Sequence, residues 1–207
     1  MNPDILVPTR RSIIAVGAGA LITACAPQAA EADDMVLGRQ DAPVTLIEYA
    51  SSTCGPCARF AIEVLPELRR RYMDTGQVKL IYREFITGPA NLSAAGVLLA
   101  RCAGSQRYFE VIDALMHGQS EWTGGQSPRA HLVRVAGRFG IDEARLKACI
   151  ADPDAMAALE RRVRRAQDAG VTGTPTLFVQ GRRVDGPLTL DSVVIAIDTA
   201  LSQSSKP

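Results

Sequence analysis

Residues 44–60 read VTLIEYASSTCGPCARF, an almost unbroken apolar run that meets two cysteines spaced by two residues just as a helical pattern begins. Val44, Thr45, Leu46, Ile47 and Tyr49 suit a strand covered on both faces. Phe60, Val64 and Leu68 then recur every four residues. Pro56 stands where the first turn starts, and Gly76 stands where the helix should stop. Pro66 inside this run predicts a kink, because it lacks a backbone donor and crowds the preceding turn. Residues 78–85, VKLIYREF, read as a second strand. Strand, helix and strand in that order imply a right-handed parallel crossover, so the chain is α/β and the cysteine pair sits at the strand-to-helix junction.

That junction bears on what the pair can do. Cys54 lies beside the unpaired N–H groups of the first helical turn, and these, with the positive end of the helix dipole, favour thiolate over thiol. Such placement can bring a cysteine pKa from about 8.5 to between about 3.5 and 7.5. Cys57, one turn further in, is placed to attack a mixed disulfide formed on Cys54, and Gly55 and Pro56 between them tune one two-electron couple. A structural zinc site needs four ligands. The remaining cysteines stand alone and His117 and His131 are single residues on helical segments, so no metal is expected. A purely structural disulfide would leave Pro56 at the helix start without a reason.

Residues 89 to 168 change character. Five segments with helical spacing predict four or five helices and no strands. The arginines of ERRVRRAQDAG (Arg161, Arg162, Arg164, Arg165) read as the solvated face of a helix ending near Gly170. TPTLFVQGRRVDG predicts a hairpin: Thr176 to Val179, a turn at Gln180-Gly181, and a return through Arg183 and Val184. TLDSVVIAIDTALSQ closes as a helix with Asp191 as N-cap and Val194, Ile197 and Leu201 on one face. The order βαβ, helical block, ββα divides the chain at residues 36–88, 89–168 and 169–202. Trp122, in a polar glycine-rich loop, is either a core plug or a grip for unfolded chains.

Residues 1–32 read as an export signal. Arg10 and Arg11 precede SIIAVGAGALITA, which is short of the roughly 20 apolar residues that span a bilayer. TRRSII resembles a twin-arginine signal. ITAC, residues 22–25, resembles a lipobox, in which Cys25 would be lipidated as the new N-terminus and anchor the chain to a membrane. A cut after Ala30-Glu31-Ala32 would instead discard Cys25, and both readings stand. Either way four thiols remain, Cys54, Cys57, Cys102 and Cys149, an even number that suits an oxidising compartment such as the periplasm. The spacer PQAAEADD is expected to lack fixed structure. Cys102 and Cys149 lie on apolar helical faces, where free buried cysteines also occur. In an exported chain a disulfide between them is expected, closing a loop of about fifty residues for about 4 kcal/mol of chain entropy. The formal net charge of +1 gives no case for nucleic acid as a partner.

CGPC after a buried strand, GTPT at residues 173–176 before a later strand, and a helical block between them resemble the thioredoxin superfamily. The helical insertion is similar to that of the DsbA branch of thiol–disulfide oxidoreductases, and the resemblance runs over roughly residues 36–202. It implies an α/β thioredoxin fold with an inserted all-helical domain, Cys54 as nucleophile and Cys57 as resolving cysteine. It also implies a cis Pro175 against the disulfide and a Thr174 whose backbone pairs with an extended substrate chain. Glu48, the only charge in its strand, matches the buried acid of thioredoxin-like proteins. Burial should raise its pKa, and its implied role is to accept and return the proton of Cys57. No cofactor is expected, because the dithiol carries the electrons. The expected partners are unfolded or partly oxidised exported proteins and an unidentified, membrane-bound recycling partner, and a monomer is the default.

Direction is the open point. Gly55-Pro56 is the pair found in reducing thioredoxins, where DsbA-type oxidases usually carry Pro-His. Compartment and layout put an oxidase first, with a reductase or isomerase close behind. A redox-idle, client-binding chaperone is the reading from another class.

Overall fold

The computed structural model describes residues 31–204. Arg10, Arg11, Cys25 and nearly all of the expected signal therefore lie outside the described residues. Two strands open the fold, β1 (Met35–Leu37) and β2 (Val44–Ala50), followed by a helix α1 over residues 55–73 and strand β3 (Val78–Glu84). Helices α2 (Ala90–Cys102), α3 (Tyr108–His117), α4 (Gln119–Thr123), α5 (Pro128–Arg138), α6 (Glu143–Ala151) and α7 (Pro153–Asp168) come next. The hairpin β4 (Thr176–Val179) and β5 (Arg182–Arg183) and the helix α8 (Leu190–Ser204) close it. The strands form one sheet in the order β1-β3-β2-β4-β5, with β2 and β3 parallel and the other pairs antiparallel. This is the α/β thioredoxin fold with a helical insertion.

Strand alternation assigns the layers. Val44 and Leu46 of β2, with Leu80, Leu177 and Val179, bury against Phe60, Val64 and Leu68 of α1 and Val193 and Ile197 of α8. Ile47, Tyr49 and Ile81, on the opposite face, bury against Ala166 of α7 and Val171. Beyond the end of β2, Cys54, Cys57, Ala58 and Ala61 share a core with Leu99, Tyr108, Leu115 and Leu132 of the inserted helices. The Cys54–Cys57 turn is thus the seam between the sheet and the insertion.

Several details differ from expectation. The kink at Pro66 takes the form of a π turn over Phe60–Val64, in which the Leu65 N–H donates to Phe60 O one residue beyond its α-helical partner. A second such turn spans Arg69–Met73. Strand β1, only three residues long, was too short to show a period. The loop around Trp122 contains the short helix α4, so the described part of the insertion holds six helices. Thr189, rather than Asp191, caps α8: its Oγ1 accepts from Ser192 N–H at 3.3 Å. The buried face of α8 consists of Val193, Ile197 and Ala200, with Val194 and Leu201 only half-buried. The hairpin turn is as expected, with positive φ at Gln180 (49°) and Gly181 (76°) matching the twist of the flanking strands.

Two charge readings are also corrected. The spacer is ordered from Glu31 onward, where Asp34 N–H donates to Glu31 O and Glu31 N–H to Asp34 Oδ2. The arginine cluster is not wholly solvated: the Arg162 side chain is 10% exposed and bonds Glu84 and Asp33, and Arg165 pairs with Asp33 and Glu31. Helical period alone could not say which side of α7 faces the sheet edge. No described helix is long and apolar enough to cross a membrane.

Candidate active site

Strand β2 ends at Ala50, and the chain turns through Ser51–Thr53 before α1 starts at Gly55. Cys54 is the N-cap of α1, with extended backbone (φ −84°, ψ 114°), and Pro56 occupies the first turn. The Cys57 N–H donates to Cys54 Sγ at 3.2 Å. A sulfur so placed takes the donor that a Ser or Asp cap would take, and negative charge on it is favoured there. Cys54 and Cys57 form a disulfide with Cα atoms 5.2 Å apart. Cys54 keeps 8% of its surface in solvent and Cys57 none, so Cys54 is the sulfur of the pair that solvent reaches.

The opposite wall comes from the loop before β4. The Thr174–Pro175 peptide is cis, as is Gly88–Pro89. The Thr174 carbonyl oxygen lies 3.3 Å from Cys54 Sγ, within reach of a thiol proton, and the Thr174 hydroxyl is buried without a partner among the described residues. A cleft of about 240 Å³ runs alongside, lined by Pro175, Thr176, Arg183, Val184, Asp185 and Leu188. Residues 120 positions apart in the chain therefore form one site.

Glu48 is 2% exposed on β2, opposite Tyr82 of β3 and Leu177 of β4. Burial pushes its carboxyl up to about 8, and among the described residues no cation lies against it to offset that. It lines a cavity of about 500 Å³ with Ala61, Leu65, Tyr82, Phe109 and Met116, and the rim carries Arg69, Glu110 and Asp113. Glu48 thus combines a proton held near neutral pH with a cavity whose rim is polar.

Sequence reasoning missed the support of this site. Gln119 of α4 is buried, and its Nε2 donates to Ser52 O at 2.9 Å and to Cys54 O at 3.2 Å. It pins the active-site turn from the insertion. Ser51, Thr53, Thr87 and Ser93 form a hydroxyl cluster beneath the same turn, with Ser51 and Ser93 oxygens 2.7 Å apart. No local pattern could link Gln119 to a turn 65 residues upstream. Trp122 is half-buried and lines a small cavity with Ser52, Thr53 and His131, and His131 packs where a Cβ on Gly118 would overlap its ring. Cys102 of α2 and Cys149 of α6 form a second disulfide, Cα atoms 6.0 Å apart, which ties two helices of the insertion.

A family model described as thioredoxin matches residues 30–199. A Rickettsia bellii protein bearing the name protein-disulfide oxidoreductase is 31% identical over 83% of this chain and 66% of its own length. A similarly named Rickettsia conorii protein is 31% identical over 84% of this chain and 62% of its own. The chain thus spans just under two thirds of the length of these curated relatives. Among solved structures, α-DsbA1 of Wolbachia pipientis superposes with a TM-score of 0.79 at 24% identity, covering 88% of this chain and 98% of that one. BdbD of Bacillus subtilis does so with a TM-score of 0.74 at 21% identity, covering 82% and 93%.

Proposed function

The chain belongs to the thioredoxin family, and from that premise we propose that it is an exported, DsbA-like thiol–disulfide oxidoreductase that forms disulfides in client proteins. The observation that carries the reading is the Cys54–Cys57 disulfide at the start of α1, with Cys54 Sγ accepting from Cys57 N–H and facing the Thr174 carbonyl. The names of the Rickettsia relatives support the same chemistry.

In the proposed cycle a client thiolate attacks Cys54 Sγ. The Cys54–Cys57 bond breaks, a client–Cys54 disulfide forms, and Cys57 sulfur leaves with the electron pair. Glu48, its carboxyl pushed up to about 8 by burial, still holds a proton at neutral pH and gives it to Cys57. Its pKa lies close to that of an ordinary thiol, so the transfer is nearly balanced and readily reversed. A second client thiolate then attacks the client sulfur of the mixed disulfide. Cys54 departs as thiolate, stabilised by Cys57 N–H and the helix N-terminus. The client loses two electrons and the Cys54–Cys57 pair gains them, and a recycling partner removes them. Thr174 and Pro175 hold the client strand, and the cleft beside Pro175 takes its neighbouring side chains.

Equilibration of the couple against glutathione tests the direction. An oxidase gives a potential between about −120 and −200 mV, whereas a value near about −270 mV makes the protein a reductase. Insulin reduction by the Cys54→Ser variant at the parent rate would leave only a client-binding role.

A further inference from the structure

The residues just ahead of β1 are built into the fold by charge. Asp33 accepts from Arg162 Nη1 at 3.3 Å and from Arg165 Nη2 at 3.0 Å, and its backbone carbonyl accepts from Arg101 Nη1 at 2.8 Å. Asp34 pairs with Arg83 at 2.8 Å, and Glu31 pairs with Arg83 and with Arg165. Arg101 and Arg162 also grip Glu84, whose side chain has no exposure. Among the described residues of this cluster, four guanidiniums face four carboxylates. Its members come from β3, α2 and α7, so residues 31–34 strap the sheet to the insertion.

Hydrolysis after Ala32 would do three things to this cluster. It would remove Glu31, and with it both halves of the turn in which Glu31 N–H donates to Asp34 and Glu31 O accepts from it. It would put an α-ammonium on Asp33, beside the three arginines that Asp33 already holds. Three carboxylates would then face four guanidiniums and one ammonium in a partly dehydrated site, where uncompensated charge is costly.

We propose that residues 31–34 are a permanent interdomain strap of the mature protein, and that export processing cuts the chain upstream of Glu31 and not after Ala32. The proposal rests on the export reading but not on the redox chemistry, and its readouts are independent of exchange activity. The full chain is expressed with its own leader and a C-terminal tag in an exporting bacterial host, and the product's first residue is read by intact mass and terminal sequencing. A processed product starting at or before Glu31, lipid-modified or not, is expected. A product starting at Asp33, or a chain left uncut, overturns it. The double variant Glu31→Gln, Asp33→Asn in the same full chain should lower the unfolding midpoint by roughly 3–6 °C. An unchanged midpoint would show that the strap does not hold.

Discussion

Glu48 and Glu84 are the same residue on neighbouring parallel strands, and strand alternation puts them on the same face of the sheet, two residues apart in register. Both are buried, at 2% and 1% exposure. Their surroundings are opposite. Glu84 receives Arg101 Nε at 2.6 Å, Arg162 Nε at 3.0 Å and Tyr108 Oη at 2.9 Å. Glu48 has none of these and opens on a cavity, and its carboxyl rises to about 8. Both carboxyls are buried, and they differ in the partners that meet them. A carboxylate held by two guanidiniums anchors the insertion to the sheet, whereas a lone one keeps its proton and can pass it on.

The largest expected effect is at the paired acid. Glu84→Gln leaves Arg101 and Arg162 without their shared carboxylate and should cost about 3–5 kcal/mol in urea unfolding. A loss below about 1 kcal/mol would mean that the network is solvent-relaxed and the contrast overdrawn. Glu48→Gln should act in the reverse sense. Its folded pKa lies above the unfolded one, so the native state of the parent binds the proton more tightly. The associated stability is fully present below about 4.5 and is lost as pH rises through about 8. The variant should therefore gain on the parent as pH rises through that window, by about 3 kcal/mol at pH 7. A difference that stays flat with pH would place the Glu48 pKa near its ordinary value.

Smaller substitutions sharpen the same contrast. Tyr108→Phe removes one donor from Glu84 and leaves both arginines, so a loss of about 2 kcal/mol by thermal or urea unfolding is expected. Gln119→Leu takes its donor from the Ser52 carbonyl and leaves the Cys54 carbonyl with Ala58 N–H, and should cost about 1 kcal/mol. Because Gln119 holds the active-site turn, Cys54 alkylation rates in the reduced protein should shift with it. Parent-like alkylation kinetics across pH would show that Gln119 supports the fold without positioning Cys54.

Much of the fold was legible because its signals are local. The apolar run of β2, the proline-led start of α1, and the Gln180-Gly181 turn each carry their own period or dihedral demand. Glu48 stood out because it was a lone charge in an apolar strand. Glu84 did not, since Lys79 and Arg83 share β3 and the strand end reads as ordinary polar sequence. The arginines of α7 likewise read as a solvated face, because nothing local says that Glu84 and Asp33 wait beside Arg162. Thr189 lost its cap to Asp191 in the sequence reading because either side chain can serve a helix start.

The alternation of strands and helices, the cysteine pair at a strand-to-helix junction, and one candidate buried acid follow from the residues in order along the chain. Dihedral preference, hydrophobic period and helix-end chemistry act over a few residues, so they are written in adjacent letters. Which carboxylate met cations, which amide pinned the Cys54 turn, and whether the segment from Glu31 joined the fold were set by packing between distant segments. Those outcomes depend on desolvation and on charges brought together from distant parts of the chain, and their energies exist only once the sheet and the inserted helices have closed on each other.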